Sequence, residues 1–132
     1  MQPRIQEVLT YLDTQRAALE QAVAAVPPTL RDRRPAADRW SVAEVLEHLA
    51  LVEARIAQVV DERLAAARRD GLGPEHESTP VVPTLDVAGL LDRSRRLTAS
   101  EASQPRGNLS ADAAWDALAK RRSATRAMVV AA

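Results

Sequence analysis

Apolar residues recur every three or four positions along three long stretches of the chain, with polar residues between them. In the first stretch they are Ile5, Val8, Leu9, Leu12, Leu19, Val23 and Val26. In the last stretch they are Trp115, Leu118, Ala119, Thr125 and Val129. This spacing places the apolar side chains on one face of an α-helix. Pro27 and Pro28 end the first predicted helix, and Ser110 is a good N-cap for the last.

The middle stretch carries the clearest helical signal in the chain. Ser41 and Glu44 form an S-x-x-E capping box, which satisfies two backbone amides at the start of a helix. Trp40 and Val45 occupy the positions of a hydrophobic staple around that cap. The apolar positions that follow are Val42, Val45, Leu46, Leu49, Ile56, Val60 and Leu64. They predict a helix that runs to about Asp70, before Gly71, with its apolar stripe centred near Leu49 and Ile56.

The segments between these helices are irregular, apart from one shorter helix. Residues 27–40 contain three prolines and alternating charge, and residues 71–83 are rich in proline and glycine. We expect the arginines of the first loop to be solvated, because Asp32 and Asp38 offset them. Thr84 is predicted to cap a short helix that carries Leu85, Val87, Leu90, Leu91 and Leu97. Amphipathic helices of this kind bury their stripes against one another, so the pattern predicts an all-α bundle with three long helices and one short helix.

Composition narrows the class of protein further. The chain has 132 residues, the size of a single domain, which we place at residues 1–132. Its 18 basic and 18 acidic residues balance, so neither a nucleic acid nor a membrane surface is an expected partner. It has no cysteine, which excludes disulfides, thiolate catalysis and cysteine-based zinc sites. The N-terminal residues are charged and amphipathic rather than signal-like, and a cytoplasmic location is therefore the expectation.

Histidine and carboxylates are the remaining strong metal ligands, and the chain has two histidines. His48 lies at the edge of the apolar stripe of the middle helix, facing a seam between helices. It is either a boundary histidine with one bonded nitrogen or a metal ligand whose outer nitrogen is held by a second group. Glu44, one turn earlier, could chelate an ion with it, although the capping box already accounts for Glu44. His76 lies in a loop beside Glu75 and Glu77, and we expect it to be solvated.

Two charged residues occupy positions where the pattern calls for apolar ones. Glu53 lies within the stripe of the middle helix, and Arg122 lies within the stripe of the last helix. A lone buried charge is costly, whereas a paired one is tolerated. The pattern therefore predicts an inter-helix contact between Glu53 and Arg122; the alternative is that both side chains extend to the rim.

The segment DRWSVAEVLEHLALVEARI, residues 38–56, resembles the DinB/YfiT-like family of metalloenzymes, in which a Trp-Ser start precedes a helix with the first metal histidine, here His48. The region from Leu91 to Val129, with Arg122, resembles the family's middle region and third long helix. The resemblance implies an up-down-down-up four-helix bundle and a divalent metal, nickel or zinc, bound by three histidines. The family places two of these on a last long helix, and no histidine follows His76. Relative to the family, the resemblance therefore implies a domain that is C-terminally incomplete, with His48 its only metal ligand. Either the sequence is a fragment of a longer domain, or it is a family member that has lost the metal.

Two functions follow from the resemblance and from the exposed apolar surface that it implies. The first is a metal-dependent transferase or hydrolase that acts on small thiols or related small-molecule substrates, with only part of its metal site in this chain. The second is a non-catalytic helical module that self-associates or binds a partner through an apolar groove. Three apolar stripes without a fourth leave a large patch, so we expect a homodimer.

Overall fold

The computed structural model describes residues 1–94 and 97–132 of the chain. Those residues form four α-helices and no β-strand: α1 is Pro3–Ala24, α2 is Val42–Arg69, α3 is Val87–Leu90 and α4 is Ala111–Ala131. Single turns of 3-10 helix lie at Pro28–Leu30, Val82–Thr84 and Glu101–Ser103. The predicted all-α fold, with three long helices and one short helix, is confirmed.

Helix α1 begins at a proline and is capped by a side chain. The carboxamide oxygen of Gln2 accepts hydrogen bonds from two amides of the first turn, and Pro3 has no N–H that would need a partner. Glu7, one turn further on, accepts hydrogen bonds from the amides of Val81 and Val82 at 2.7 and 3.0 Å. Helix α1 therefore also fixes part of the long connection that follows α2.

Helix α2 begins and ends where the sequence predicts. The Ser41 hydroxyl accepts from the Glu44 amide at 3.1 Å, and Glu44 accepts from the Ser41 amide at 3.1 Å, so both bonds of the capping box are present. Arg69 is the last helical residue, and Gly71 has a φ of +69°, in the left-handed region that glycine adopts without strain.

The prediction of a helix capped by Thr84 is wrong in its start and its length. Helix α3 has four residues, and its cap is Asp86, whose carboxylate accepts from the Gly89 amide at 3.0 Å. Thr84 instead lies in the preceding 3-10 turn. Leu90 and Leu91 are 80% and 72% exposed, so no core contact opposes the helix-weakening effect of Gly89. Residues 95 and 96 of the predicted helix lie outside the described residues.

Helices α2 and α4 pack side by side and run in the same direction. Their first turns are tied to the same loop, because the Ala43 amide donates to the Arg31 carbonyl and the Ala111 amide donates to Asp32. About ten residues further along each helix, Glu53 meets Arg122. A parallel pair of neighbouring helices needs a long return connection, which residues 70–110 provide.

Helix α1 runs antiparallel to α4. Asp13 of α1 binds Arg126, near the end of α4. Arg16, further along α1, lies over the ring of Trp115, near the beginning of α4. The three long helices therefore run up, down and down, which is the order that the family resemblance implied for the first three helices of the bundle.

The core lies at the close contact between α2 and α4. Its buried residues are Leu46, Ala50, Ala114 and Leu118. The predicted centre of the α2 stripe is wrong, since Ile56 is 46% exposed and the buried face lies nearer to Leu46 and Ala50. Alanines face each other at this contact, and their small side chains let the two helices approach closely.

The loop between α1 and α2 is more firmly anchored than the sequence predicted. Arg34 binds both carboxylate oxygens of Glu44, at 2.8 and 2.6 Å. Asp32 accepts from the first amide of α4 at 2.7 Å. Charge alternation suggested that these residues only face solvent, but the folded loop uses them to join the N-termini of α2 and α4.

Candidate functional site

His48 lies in the second turn of α2 and contacts a loop rather than another long helix. Its Nδ1 atom is 2.6 Å from the carbonyl oxygen of Ser103, in the 3-10 turn before α4. Because a carbonyl oxygen only accepts, Nδ1 carries the proton, and in the neutral ring Nε2 holds the free lone pair. Within residues 1–94 and 97–132, Nε2 makes no hydrogen bond. Histidines that bind metals are commonly held in this way by their outer nitrogen.

The aromatic ring of Trp40 lies close to the His48 imidazole. Its centroid is 5.0 Å from that of the His48 ring, with a tilt of 46°. Trp40 also lines an open cavity of about 690 Å³ together with Val45, the first loop and the segment before α4. The lining residues from those two segments are Asp38, Arg39, Leu97, Thr98, Ala99 and Gln104. Trp40 therefore belongs both to the wall of this cavity and to the surroundings of the His48 imidazole.

Both carboxylate oxygens of Glu44, one turn before His48, already accept hydrogen bonds within the protein. Two hydrogen bonds from Arg34 lower the pKa of this carboxyl to about 2; burial opposes that effect and the bond from the Ser41 amide adds to it. Chelation of an ion by Glu44 and His48 would require breaking these bonds. The capping role of Glu44 is therefore the one that its contacts support.

Glu47 is a buried carboxylate next to His48 whose role the sequence did not reveal. One of its oxygens accepts from the Arg106 amide at 2.8 Å, and the other accepts from the Gly107 amide at 3.2 Å. Gly107 has a φ of +76°, a conformation that glycine favours. Glu47 thus holds the loop that also carries Ser103, the partner of His48. Its position on a buried face beside the histidine was the only local signal.

Glu53 and Arg122 meet as the sequence predicted. Two parallel hydrogen bonds of 3.0 Å join Arg122 Nε and Nη2 to the two carboxylate oxygens, and Glu53 is buried. Both oxygens are occupied, so Glu53 is a structural link between α2 and α4.

The described residues do not provide a site for a nickel or zinc ion of the kind that the resemblance implies. Protein sites for such ions use three or four side-chain ligands. In the part of the chain that the structure describes, no group of three His, Cys, Asp or Glu side chains is placed to hold a metal. His76 is exposed in the loop after α2, and its neighbour Glu75 binds Arg4 at 3.0 Å. His48 therefore stands as a single candidate ligand.

Comparison with known proteins identifies the family of this helical domain. A family model described as the DinB superfamily matches residues 11–132, from within α1 to the end of α4. The chain belongs to the DinB superfamily. Comparisons with curated proteins and with solved structures give no significant match.

The length and hydropathy of a helix decide whether it can span a membrane. Among the helices formed by residues 1–94 and 97–132, none is long and apolar enough to cross a bilayer.

Proposed function

We propose that this chain serves as a helical association module of the DinB type, which binds a second copy of itself along α2. The observation that carries the proposal is a row of apolar side chains on the solvent side of that helix. Val45, Ile56 and Val59 are 39%, 46% and 41% exposed. At helical spacing they share one face with Val52. Contiguous apolar surface of this kind commonly marks a protein interface.

The spacing of this row suits a second copy of the same helix. Val45 and Val59 each lie seven residues, or about two helical turns, from Val52. When a second α2 lies antiparallel with the two-fold axis at Val52, Val45 of each copy faces Val59 of the other. Such a contact is isologous, and its seven-residue repeat is the one that packs helices side by side.

The carboxylates around His48 also support a binding role. A carboxyl group that acts as a general acid or base must be able to reach a substrate proton. Glu44, Glu47 and Glu53 instead bind Arg34, two loop amides and Arg122. These bonds hold α2 against the first loop, the segment before α4 and α4 itself.

The association is tested by introducing a charge into the row. Ile56→Glu places a carboxylate in the proposed contact, where it would lose water without gaining a partner. Ala65→Glu is the matched control, because Ala65 is exposed and lies nine residues away, on the opposite side of α2. Sedimentation equilibrium should show a dimer for the natural chain and for Ala65→Glu, and a dimer weakened by tenfold or more, on the order of 1.4 kcal/mol, for Ile56→Glu. A natural chain that stays monomeric at high concentration would overturn the proposal.

A second candidate function is favoured by the contact between His48 and Ser103. It is a metal-dependent transferase or hydrolase that acts on a small thiol or a related small molecule, as the DinB resemblance implies. In this candidate His48 Nε2 supplies one ligand, and the other ligands come from outside this sequence. A cytoplasmic location, which either function allows, remains a prediction from the N-terminal sequence.

Metal retention separates the two candidates. The natural chain, His48→Ala and His76→Ala are dialysed with Ni²⁺ or Zn²⁺, washed, and measured for metal content. Retention that is lost in His48→Ala but kept in His76→Ala would support the metalloenzyme. Equal, low retention in all three chains would support the association module, since a single imidazole holds these ions weakly.

A further inference from the structure

A cavity of about 180 Å³ lies between α1, α2 and α4. Its apolar lining comes from all three long helices: Leu19, Leu49, Trp115, Leu118 and Ala119. An engineered cavity of roughly 150 Å³ in another protein holds benzene, so a space of this size accepts a single six-membered ring.

The polar part of the cavity lining is Gln15 and two arginines, so its charged side chains are both basic. Arg16 and Arg122 both line it, and the guanidinium of Arg16 lies 5.5 Å from the centroid of the Trp115 ring. Arg122 is neutralised by Glu53. In the part of the chain that the structure describes, no carboxylate lies within salt-bridge distance of Arg16.

The neighbouring acidic residues that the structure describes do not bind the Arg16 side chain. Asp13 lies one turn before Arg16 on α1, and both of its oxygens bind Arg126. Glu20 and Asp112 line a separate cavity that shares Trp115 with this one. Arg16 is therefore the guanidinium of the lining that, among the described residues, has no carboxylate bound to it.

We propose that this cavity binds a small aromatic carboxylate, with its ring among the leucines and Trp115 and its carboxylate on Arg16. The apolar side chains of the lining match the ring of such a ligand, and Arg16 matches its carboxylate. Apolar side chains bury the ring, while a planar guanidinium can donate two parallel hydrogen bonds to a carboxylate. Leu49, one turn from Val45 on α2, borders both surfaces, but no residue of the apolar row lines the cavity. The binding proposal does not rest on the proposed self-association.

The proposal is tested with benzoate, and with benzyl alcohol as a neutral molecule of similar size. Binding is followed by NMR through the indole N–H of Trp115, with that of Trp40 as an internal reference. We expect benzoate to shift the Trp115 signal and to bind about tenfold more tightly than benzyl alcohol, because its hydrogen bonds with Arg16 are charge-assisted. Equal affinities for the two molecules, or no shift of the Trp115 signal by benzoate, would overturn the proposal.

Three variants locate the site. Arg16→Met keeps an unbranched apolar stem and removes the charge, and it should weaken benzoate binding about tenfold. Arg55→Met is the matched control, because Arg55 is an exposed arginine of α2 outside the lining, and it should bind benzoate normally. Ala119→Leu should fill the cavity and abolish binding. Circular dichroism checks the helix content of each variant; if Ala119→Leu does not fold, Arg16→Met decides the question, and unchanged affinity in that variant would contradict the proposal.

Discussion

Glu53 and Arg122 join α2 to α4 through two parallel hydrogen bonds of 3.0 Å each. The Glu53 side chain is 8% exposed and that of Arg122 is 23% exposed, so the pair is largely removed from water. It lies beyond the alanine contacts that hold the first turns of the two helices together. The ion pair therefore keeps the parallel helices in register along their middle turns.

Removing one partner of this pair should destabilise the fold more than removing both. Glu53→Met leaves the Arg122 charge without its partner, and we expect a loss of about 2–3 kcal/mol in the free energy of unfolding. The double variant Glu53→Met/Arg122→Met replaces the pair with apolar side chains of similar length and should recover much of that loss. Urea denaturation of the natural chain, both single variants and the double variant measures the coupling. Strictly additive losses would show that the two side chains do not stabilise each other.

Glu44 should make stability fall in acid. Arg34 holds the pKa of this carboxyl at about 2 in the folded protein, below its ordinary value of 4.5. A lowered pKa stabilises the fold above the ordinary value, and this contribution is lost as the pH falls from about 4.5 towards 2. Glu44→Gln should cost about 1–2 kcal/mol near neutral pH, a modest figure because Arg34 is half-exposed.

The measurement for Glu44 is the stability difference between the natural chain and Glu44→Gln at several pH values. That difference should shrink as the pH is lowered below 4.5. Arg34→Met, which removes the other partner, should show the same trend. A difference that stays constant between pH 6 and pH 3 would contradict this account of Glu44.

Local signals predicted the features of the fold that depend on neighbouring residues. The capping box of Ser41 and Glu44 spans four residues, so its bonds follow from the sequence alone. The contact between Glu53 and Arg122 could be predicted because each charge interrupts an apolar stripe, and only a partner makes such burial tolerable. His48 was also singled out by its position, although its bond to Ser103 was not foreseen.

Features that depend on distant residues could not be predicted in the same way. Glu47 binds amides about sixty residues away, and nothing near Glu47 in the sequence identifies them. The buried face of α2 was misplaced because Ala50 carries little weight in an apolar pattern dominated by leucine, valine and isoleucine. The close approach of α4 makes that alanine central, and this approach is a property of the packed pair of helices.

Glu47 should control the order of the loop that contacts His48. In Glu47→Ala the amides of Arg106 and Gly107 lose their acceptor, and a buried carboxylate is replaced by a small cavity. Hydrogen exchange at these two amides should become at least about tenfold faster, which corresponds to about 1.4 kcal/mol of lost protection. The Val81 and Val82 amides, which Glu7 holds in the same way, are the internal reference and should be unchanged. Uniform acceleration at all four amides would indicate global destabilisation instead.

The close contact between α2 and α4 should tolerate no larger side chain at Ala114. This residue is fully buried, at 0% exposure, and belongs to the same cluster as Leu46 and Ala50. Ala114→Leu adds three carbon atoms where the helices already touch, so the helices must separate or the side chain must adopt a strained rotamer. We expect a loss of about 1–3 kcal/mol.

The neighbouring residue provides the control for this packing. Ala113 lies on the same turn of α4 but is exposed, and Ala113→Leu should change the free energy of unfolding by less than about 0.5 kcal/mol. Both variants replace alanine with leucine within α4 and so change the helix propensity by the same amount. The difference between their free energies of unfolding therefore reports the contact between α2 and α4. If Ala114→Leu were as stable as Ala113→Leu, α2 and α4 could not be as closely packed as the structure shows. The ion pair of Glu53 and Arg122 would then have to set the spacing of the two helices by itself.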